Sequence, residues 1–289
     1  MRILREEAYE DDPRRFNNPP RLVAGESLGM LNALHVAGAF GEWGSQKAFA
    51  SLMRFAAYRG SVFQKVAESN PSTLFMVSAT KKCDQGDFEE IIEALQRQHG
   101  MNPTLIKAQN EYIVGGKMRD VESMAEFLSG VSDLVKHQRI PTATGAFHTE
   151  EMADAVPYIR DYFDAFPLQD TRVPVLLNTG GNISTTTDAR ILEQDCINGV
   201  TMPVQGPSMV RYVEGQNIAG HYVIGEKGLF ARTLRNNSEN ISIAEKIKSK
   251  KGALIAGGAV GAAVAAAGLG MLVYRKEHQG TEELSEDNK

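Results

Sequence analysis

The segment Leu22-Val23-Ala24-Gly25-Glu26-Ser27-Leu28-Gly29 joins a short apolar run to the pattern Gly-x-Ser-x-Gly. The apolar run predicts a buried strand, and the apolar residues from Leu28 to Val36 recur at helical spacing. A serine between such a strand and helix is typical of a nucleophile elbow, whose flanking glycines keep side chains out of a tight turn. Ser27 is therefore the first candidate for covalent chemistry.

Ser27 has an alternative, purely structural role. At a helix start, a serine oxygen accepts hydrogen bonds from the free backbone amides of the first turn. The five-residue pattern is short, and by itself it does not separate this capping role from that of a nucleophile.

A candidate base lies in Gly145-Ala146-Phe147-His148-Thr149, between the strand-like segment 140–144 and a helical stretch that begins at Glu150. A serine hydroxyl is a poor nucleophile at neutral pH and needs a base, and histidine titrates in the useful range. Among the six histidines, His148 is preferred because it follows the end of a predicted strand.

Six motifs in order resemble those of the malonyl-CoA:acyl-carrier-protein transacylases and the related acyltransferase domains of polyketide and fatty acid synthases. The resemblance extends from about Leu22 to about Arg235. The motifs are Ala24-Gly25-Glu26-Ser27-Leu28-Gly29, Tyr58-Arg59-Gly60, Tyr112-Ile113-Val114-Gly115-Gly116, Gly145-Ala146-Phe147-His148, Pro174-Val175-Leu176-Leu177-Asn178 and Pro203-Val204-Gln205.

The resemblance implies an α/β fold in which an α/β-hydrolase-like large subdomain is interrupted by a ferredoxin-like small subdomain. We expect the large subdomain at 19–71 and 141–245 and the small one at 72–140, after a polar segment at 1–18. Periodicity within the small subdomain independently predicts the order βαββαβ. Its strands are expected at Leu74–Val77, Thr104–Ile106, Tyr112–Val114 and just before His148, and its helices at Phe88–Gln98 and Val121–Leu134.

The resemblance also implies an activity. Ser27 would attack the thioester of malonyl-CoA, His148 would accept its proton, and the malonyl group would rest on Ser27 as an ester. The phosphopantetheine thiol of an acyl carrier protein would then collect the malonyl group by ping-pong transfer. This chemistry implies no metal and no cofactor of the enzyme's own.

Further residues receive roles by the same resemblance. Arg59 would hold the free carboxylate of malonate, which suits a planar two-pronged donor. The backbone amide of Leu28 would stabilise the oxyanion. Phe147 would favour malonyl over methylmalonyl, and a backbone carbonyl near Gly199 would orient His148.

One departure from the family's pattern leaves other functions open. The family's elbow follows a first strand and a Gly-Gln-Gly-type loop that completes the oxyanion site, and residues 1–18 contain neither. Two explanations are open. The reading frame begins upstream of Met1, or the protein is a catalytically impaired acyltransferase-like binding protein. A serine esterase is a third possibility, since it would not need Arg59.

Residues 252–274 carry no charge and are rich in Ala and Gly, so they are predicted to form a transmembrane helix. The larger basic charge before this segment would leave the catalytic domain on the cytoplasmic side, anchored to the membrane. The alternative is a buried Ala/Gly-rich helix of a soluble protein. The tail at 275–289 is polar.

Composition adds limits. The chain has 289 residues, a net charge of −5 and 42% hydrophobic residues, which fits one two-lobed domain with a tail. The sequence contains no basic segment interleaved with aromatic residues, so it does not predict nucleic-acid binding. Cys83 and Cys196 do not form a close pair, which excludes a zinc ribbon and fits a reducing cytoplasm.

Overall fold

The computed structural model describes residues 20–141, 143–180, 183–216, 220–224, 241–242 and 271–275. The described strands are β1 (Leu22–Gly25), β2 (Ser72–Ala79), β3 (Asn102–Ala108), β4 (Glu111–Lys117), β5 (Val135–Arg139), β6 (Val175–Leu176), β7 (Thr185–Thr186), β8 (Val204–Gln205), β9 (Gly220–Ile224), β10 (Ile241–Ser242) and β11 (Met271–Arg275). The described α-helices are α1 (Leu28–Ala37), α2 (Gln46–Ser69), α3 (Gln85–His99), α4 (Val121–Gly130), α5 (Val156–Ala165), α6 (Ala189–Thr201) and α7 (Gly206–Glu214). Short 3₁₀ helices occupy Met118–Asp120 and Glu150–Ala155.

The larger sheet positions the serine elbow. Its strand order is β10-β9-β11-β1-β6-β7, with β1 parallel to β6 and antiparallel to β11. All residues of β1 are buried because both faces of the sheet are covered. Since side chains alternate along a strand, Val23 packs into one hydrophobic cluster while Leu22 and Ala24 pack into another. Packing on both faces therefore fixes the carboxyl end of β1, and the chain continues from there through Glu26 to Ser27.

The two clusters are built from different helices. The cluster around Val23 includes apolar side chains of α1, α2, α5 and α6, among them Leu34, Phe55, Ile159 and Leu192. On the opposite face, α7 contributes Met209, Val210 and Val213 to the cluster around Leu22. The helices thus cover both faces of the sheet near β1, as in other α/β folds.

The smaller sheet has the order β5-β2-β4-β3-β8. Its first four strands pair antiparallel with their neighbours, which is the arrangement of a ferredoxin-like βαββαβ unit. Helices α3 and α4 pack on this sheet through buried Phe88, Leu95, Met124 and Leu128. The predicted order of elements in the small subdomain is therefore confirmed. Strand β8, from the later part of the chain, extends the sheet by pairing in parallel with β3.

Two boundaries in this region differ from the prediction. The second helix ends at Gly130 rather than Leu134, and the last strand is β5 rather than the segment before His148. Only Val135 of β5 is buried, and its other residues are exposed and polar, so its sequence lacks an apolar pattern. Pro141 lacks the N–H that a continuing strand would donate, and residues 143–148 form turns and loops.

The predicted transmembrane helix differs from the structure at its carboxyl end. Met271–Tyr274 lie in β11, where they pair with β1 and β9, and the segment Leu272-Val273-Tyr274 consists of residues that favour strands. Residues 252–270 lie outside the described part, as does the polar segment 1–18. Within the described residues, none of the helices combines the length and apolar character needed to span a membrane.

Candidate active site

The backbone at Ser27 has the strained conformation of a nucleophile elbow. Its φ is 50° and its ψ is −108°, a combination that costs free energy for a residue with a side chain. A Cβ on Gly25 would lie 2.1 Å from the carbonyl oxygen of Gly29, so the first glycine of the pattern is required by close backbone approach. The Ser27 side chain makes no capping hydrogen bond to α1, in contrast to the alternative structural role.

The Ser27 hydroxyl instead contacts His148. Its Oγ lies 2.6 Å from Nε2 of His148, and Nδ1 of the same ring lies 2.5 Å from the carbonyl oxygen of Gly199. A carbonyl only accepts hydrogen bonds, so Nδ1 carries the proton and donates a hydrogen bond to the carbonyl of Gly199. Nε2 is therefore the unprotonated nitrogen, and it accepts a hydrogen bond from the Ser27 hydroxyl.

His148 is held as a neutral imidazole. Burial, followed by the positive charge of Arg59, lowers its pKa from 6.5 to about 4, and the hydrogen bond to Gly199 only partly opposes this. Since the pKa lies well below 7, His148 is unprotonated at neutral pH and is able to accept the serine proton.

Asn178 holds the elbow from the loop that follows the neighbouring strand β6. Its side-chain Oδ1 accepts a 2.8 Å hydrogen bond from the backbone N–H of Ser27, and its Nδ2 donates a 2.7 Å bond to the carbonyl of Gly25. The buried Asp195 carboxylate in turn accepts bonds from the backbone N–H groups of Asn178 and Thr179 and from the Thr179 hydroxyl. This network fixes both residues that flank Glu26.

The motif Pro174-Val175-Leu176-Leu177-Asn178 contains Asn178, but no role for this residue is predicted from the sequence. Asp195 is not predicted as a site residue either. A polar residue directly after the apolar run Val175–Leu177 is a signal that could have identified Asn178, as the position after a predicted strand did for His148. Asp195 lies in the middle of α6 and has no comparable signal.

A narrow pocket opens in front of Ser27 and His148. Arg59 of α2 lines it, together with Asn178, Cys196 and Gly199. As a whole residue Arg59 is partly exposed, but its guanidinium lies in the pocket, where desolvation lowers its pKa to about 10 and it stays charged at neutral pH. The structure therefore brings Ser27, His148 and Arg59 together, although they are far apart in sequence.

The remaining predicted residues lie at the edge of this group. Leu28 is the first residue of α1, and within the described part of the chain its backbone N–H has no acceptor. An oxyanion at Ser27 could therefore accept a hydrogen bond from it. Phe147 is half-buried and directs its ring toward α2.

Glu26 is a buried acid that sequence reasoning did not assign. It is 4% exposed, its Oε1 has no hydrogen-bond partner, and desolvation raises its pKa from 4.5 to about 7, against the opposing influence of Lys107. Gly206 leaves room for this side chain, because a Cβ there would lie 2.9 Å from Oε1. In the described ranges, no three His, Cys, Asp or Glu side chains converge in a way that could hold a metal.

Pairing a strained serine with a neutral histidine is an arrangement by which hydrolases and acyltransferases activate a hydroxyl. No family model matches the chain. It is 26% identical, over 63% of its length and 55% of the relative's, to a polyketide biosynthesis malonyl-CoA-acyl carrier protein transacylase of Bacillus velezensis. A transacylase of the same description from Bacillus subtilis is 22% identical over 55% of the chain and 50% of the relative. The chain thus spans about half the length of these curated relatives.

Solved structures share the fold. A transacylase of this kind from Mycobacterium tuberculosis aligns with a TM-score of 0.65 and 20% identity, over 83% of this chain and 73% of that one. A malonyl transacylase solved in complex with a type II polyketide acyl-carrier protein aligns with a TM-score of 0.67 and 14% identity, over 86% and 78% of the two chains. The resemblance to malonyl-CoA:acyl-carrier-protein transacylases, predicted from six motifs, is thereby confirmed, and the chain has the α/β acyltransferase fold.

We expect Asn178→Ala to weaken both the fold and the elbow. The change leaves the Ser27 N–H and the Gly25 carbonyl without their partner, which costs about 1–3 kcal/mol of unfolding free energy. Urea unfolding measures this loss, and the rate of labelling by a fluorophosphonate probe measures the reactivity of Ser27. Asn110→Ala, at an exposed turn residue, is the matched control. Unchanged stability and labelling in the Asn178 variant would contradict this account of the elbow.

The two buried titratable groups near the elbow should have opposite effects on stability. The lowered pKa of His148 gives stability that is lost as pH falls from 6.5 toward 4, whereas the raised pKa of Glu26 gives stability that is lost as pH rises from 4.5 toward 7. Between pH 4.5 and 6.5 the two effects oppose each other. Glu26→Gln removes one of them, so the stability of this variant should rise with pH more steeply than that of the wild type.

The expected difference in slope is about 1 kcal/mol per pH unit. Urea unfolding at a series of pH values measures it, and His148→Gln should shift the slope in the opposite direction. Parallel stability curves for the wild type and both variants would show that neither group has the assigned pKa.

Proposed function

We propose that this chain transfers a malonyl group from malonyl-CoA to the phosphopantetheine thiol of an acyl carrier protein through a malonyl ester of Ser27. The observation that carries the proposal is the hydrogen bond from Ser27 to a neutral His148 in a pocket that also holds the charged Arg59. Likeness to transacylases of polyketide biosynthesis in Bacillus supports the same activity.

In the first half-reaction, Nε2 of His148 takes the hydroxyl proton while Oγ of Ser27 attacks the thioester carbonyl. The oxyanion of the tetrahedral intermediate accepts a hydrogen bond from the N–H of Leu28. The carbonyl of Gly199 stabilises the imidazolium through Nδ1. When the intermediate collapses, the carbon–sulfur bond breaks and the coenzyme A thiolate takes the proton from His148.

In the second half-reaction, His148 removes the proton of the phosphopantetheine thiol, whose sulfur attacks the malonyl ester. The ester bond breaks, and Oγ of Ser27 recovers its proton from His148. Donor and acceptor therefore use the same nucleophile and the same base in turn, as ping-pong transfer requires. This sequence of steps requires no metal or redox cofactor.

Arg59 and Phe147 would select the acyl group. The guanidinium of Arg59 presents two parallel donors to the free carboxylate of malonate, an arrangement that favours it over neutral acyl groups. By resemblance to the family, Phe147 would disfavour a methyl branch on the α-carbon of the acyl group. Its ring stacks on Phe63, which lies against Arg59.

The acyl carrier protein is the proposed partner. Support comes from the transacylase of similar fold that was solved in complex with such a carrier. Since several relatives act in polyketide biosynthesis, we place the reaction in polyketide or fatty acid synthesis. Anchoring to the membrane stays a prediction from sequence, and the segment predicted for it, 252–274, overlaps β11 at residues 271–274.

Intact-protein mass spectrometry after brief exposure to malonyl-CoA tests the proposal. We expect a malonyl adduct on the wild type and none on Ser27→Ala. Arg59→Ala should lower the malonylation rate at least about tenfold, since charge-assisted hydrogen bonds contribute about 1.5–3 kcal/mol. It should not slow acetylation by acetyl-CoA, because acetate has no carboxylate to bind and loss of the Arg59 charge lets the pKa of His148 rise. Arg54→Ala, an exposed arginine of the same helix, is the matched control and should behave as the wild type.

Other outcomes favour the alternatives. No adduct on a wild-type protein that unfolds cooperatively would contradict the proposal and favour a catalytically impaired binding protein. Rapid hydrolysis of neutral esters by both the wild type and Arg59→Ala, without transfer to a carrier thiol, would favour a serine esterase.

A further inference from the structure

Arg59 lies over an aromatic ring from its own helix. Its guanidinium carbon is 4.3 Å from the centroid of the Phe63 ring, one helical turn later in α2. Residues four apart on a helix lie on the same face, so the contact follows from the spacing. A cation at this distance over a ring is attracted to its negative face.

The Phe63 ring is itself fixed by a second ring. Phe63 is 6% exposed, and it stacks on Phe147 with a centroid distance of 5.6 Å and an interplanar angle of 19°. Gly145 leaves space for this stack, since a Cβ there would come within 3.2 Å of the Phe147 ring and 3.0 Å of the Ala67 side chain. The Phe63 ring therefore has little freedom to turn away from Arg59.

Arg59 forms no salt bridge within the described part of the chain. Among the described residues, no carboxylate lies within salt-bridge distance of its guanidinium. Desolvation disfavours its charge, and the Phe63 ring face offsets part of this cost. An aromatic face holds the guanidinium without using its N–H donors, so those donors stay available to an incoming anion.

We propose that Phe63 is a positioning residue, which holds the Arg59 guanidinium toward the acyl pocket so that it binds the carboxylate of a dicarboxylic acyl group. This inference rests on the proposed function. It assigns the preference for an acidic acyl group to an aromatic stack of Phe63 and Phe147 as well as to Arg59 itself.

The test compares an acidic and a neutral acyl donor. Phe63→Leu should lower the malonylation rate of Ser27 about tenfold and leave acetylation by acetyl-CoA within about twofold of the wild type, because acetate has no carboxylate to bind. Phe63→Tyr keeps the ring face and should restore most of the malonylation rate. Phe88→Leu, at a buried phenylalanine of α3 that packs on the smaller sheet, controls for a general loss of core packing.

Two results would overturn the inference. Equal slowing of malonylation and acetylation in Phe63→Leu would show that the ring only supports the fold, and an unchanged malonylation rate would show that Arg59 needs no platform.

Calorimetric titration with free malonate separates this inference from the proposed function, because it does not require transfer. If wild-type protein forms no adduct, the proposed function fails, but malonate should still bind the wild type about tenfold more tightly than Phe63→Leu. Equal malonate affinities, or no malonate binding to the wild type, would overturn the role of Phe63.

Discussion

The rest of the site depends on the backbone conformation of Ser27. A positive φ at a serine is unfavourable by itself, so the surrounding structure must hold it. Asn178, just after the neighbouring strand β6, does so by bonding to the residues before and after Glu26, and Asp195 holds Asn178 in turn. Because the carboxamide occupies the Ser27 N–H, the amide that remains for an oxyanion is that of Leu28. Geometry and reactivity at the elbow are thus set by the same two hydrogen bonds.

Arg59 links substrate binding to the strength of the base. Its charge helps to depress the pKa of His148, and a base with a pKa near 4 accepts a proton weakly. A carboxylate bound to Arg59 would offset that charge, and the pKa of His148 would then rise, although burial, the larger cause, would still hold it below 6.5. In the proposed function, the base therefore becomes stronger when the acidic acyl group is present, and a free pocket is less prone to activate Ser27 toward water.

The sequence predicts the parts of the site that depend on local pattern. Ser27 and His148 follow predicted strands, where reactive groups gather, and the turn chemistry of Gly25 is local. The bonds of Asn178 to the elbow join residues about 150 positions apart, and no periodicity reports such contacts. Strand β5 was missed because an exposed edge strand needs no apolar alternation. Residues 271–274 are predicted as helix because they continue a long uncharged run. A short apolar run is equally compatible with a strand, and pairing with β1 decides between the two.

The orientation of His148 relies on the backbone carbonyl of Gly199 rather than on a carboxylate side chain. Every amino acid has a carbonyl at that place, and a Cβ at position 199 would make only an ordinary contact with Thr179, at 3.7 Å. Alanine scanning would therefore pass over this position, because Gly199→Ala keeps the carbonyl that accepts the bond from the base. What must be preserved instead is the path of α6, so changes that shift this helix can disable the base without altering any residue that touches it.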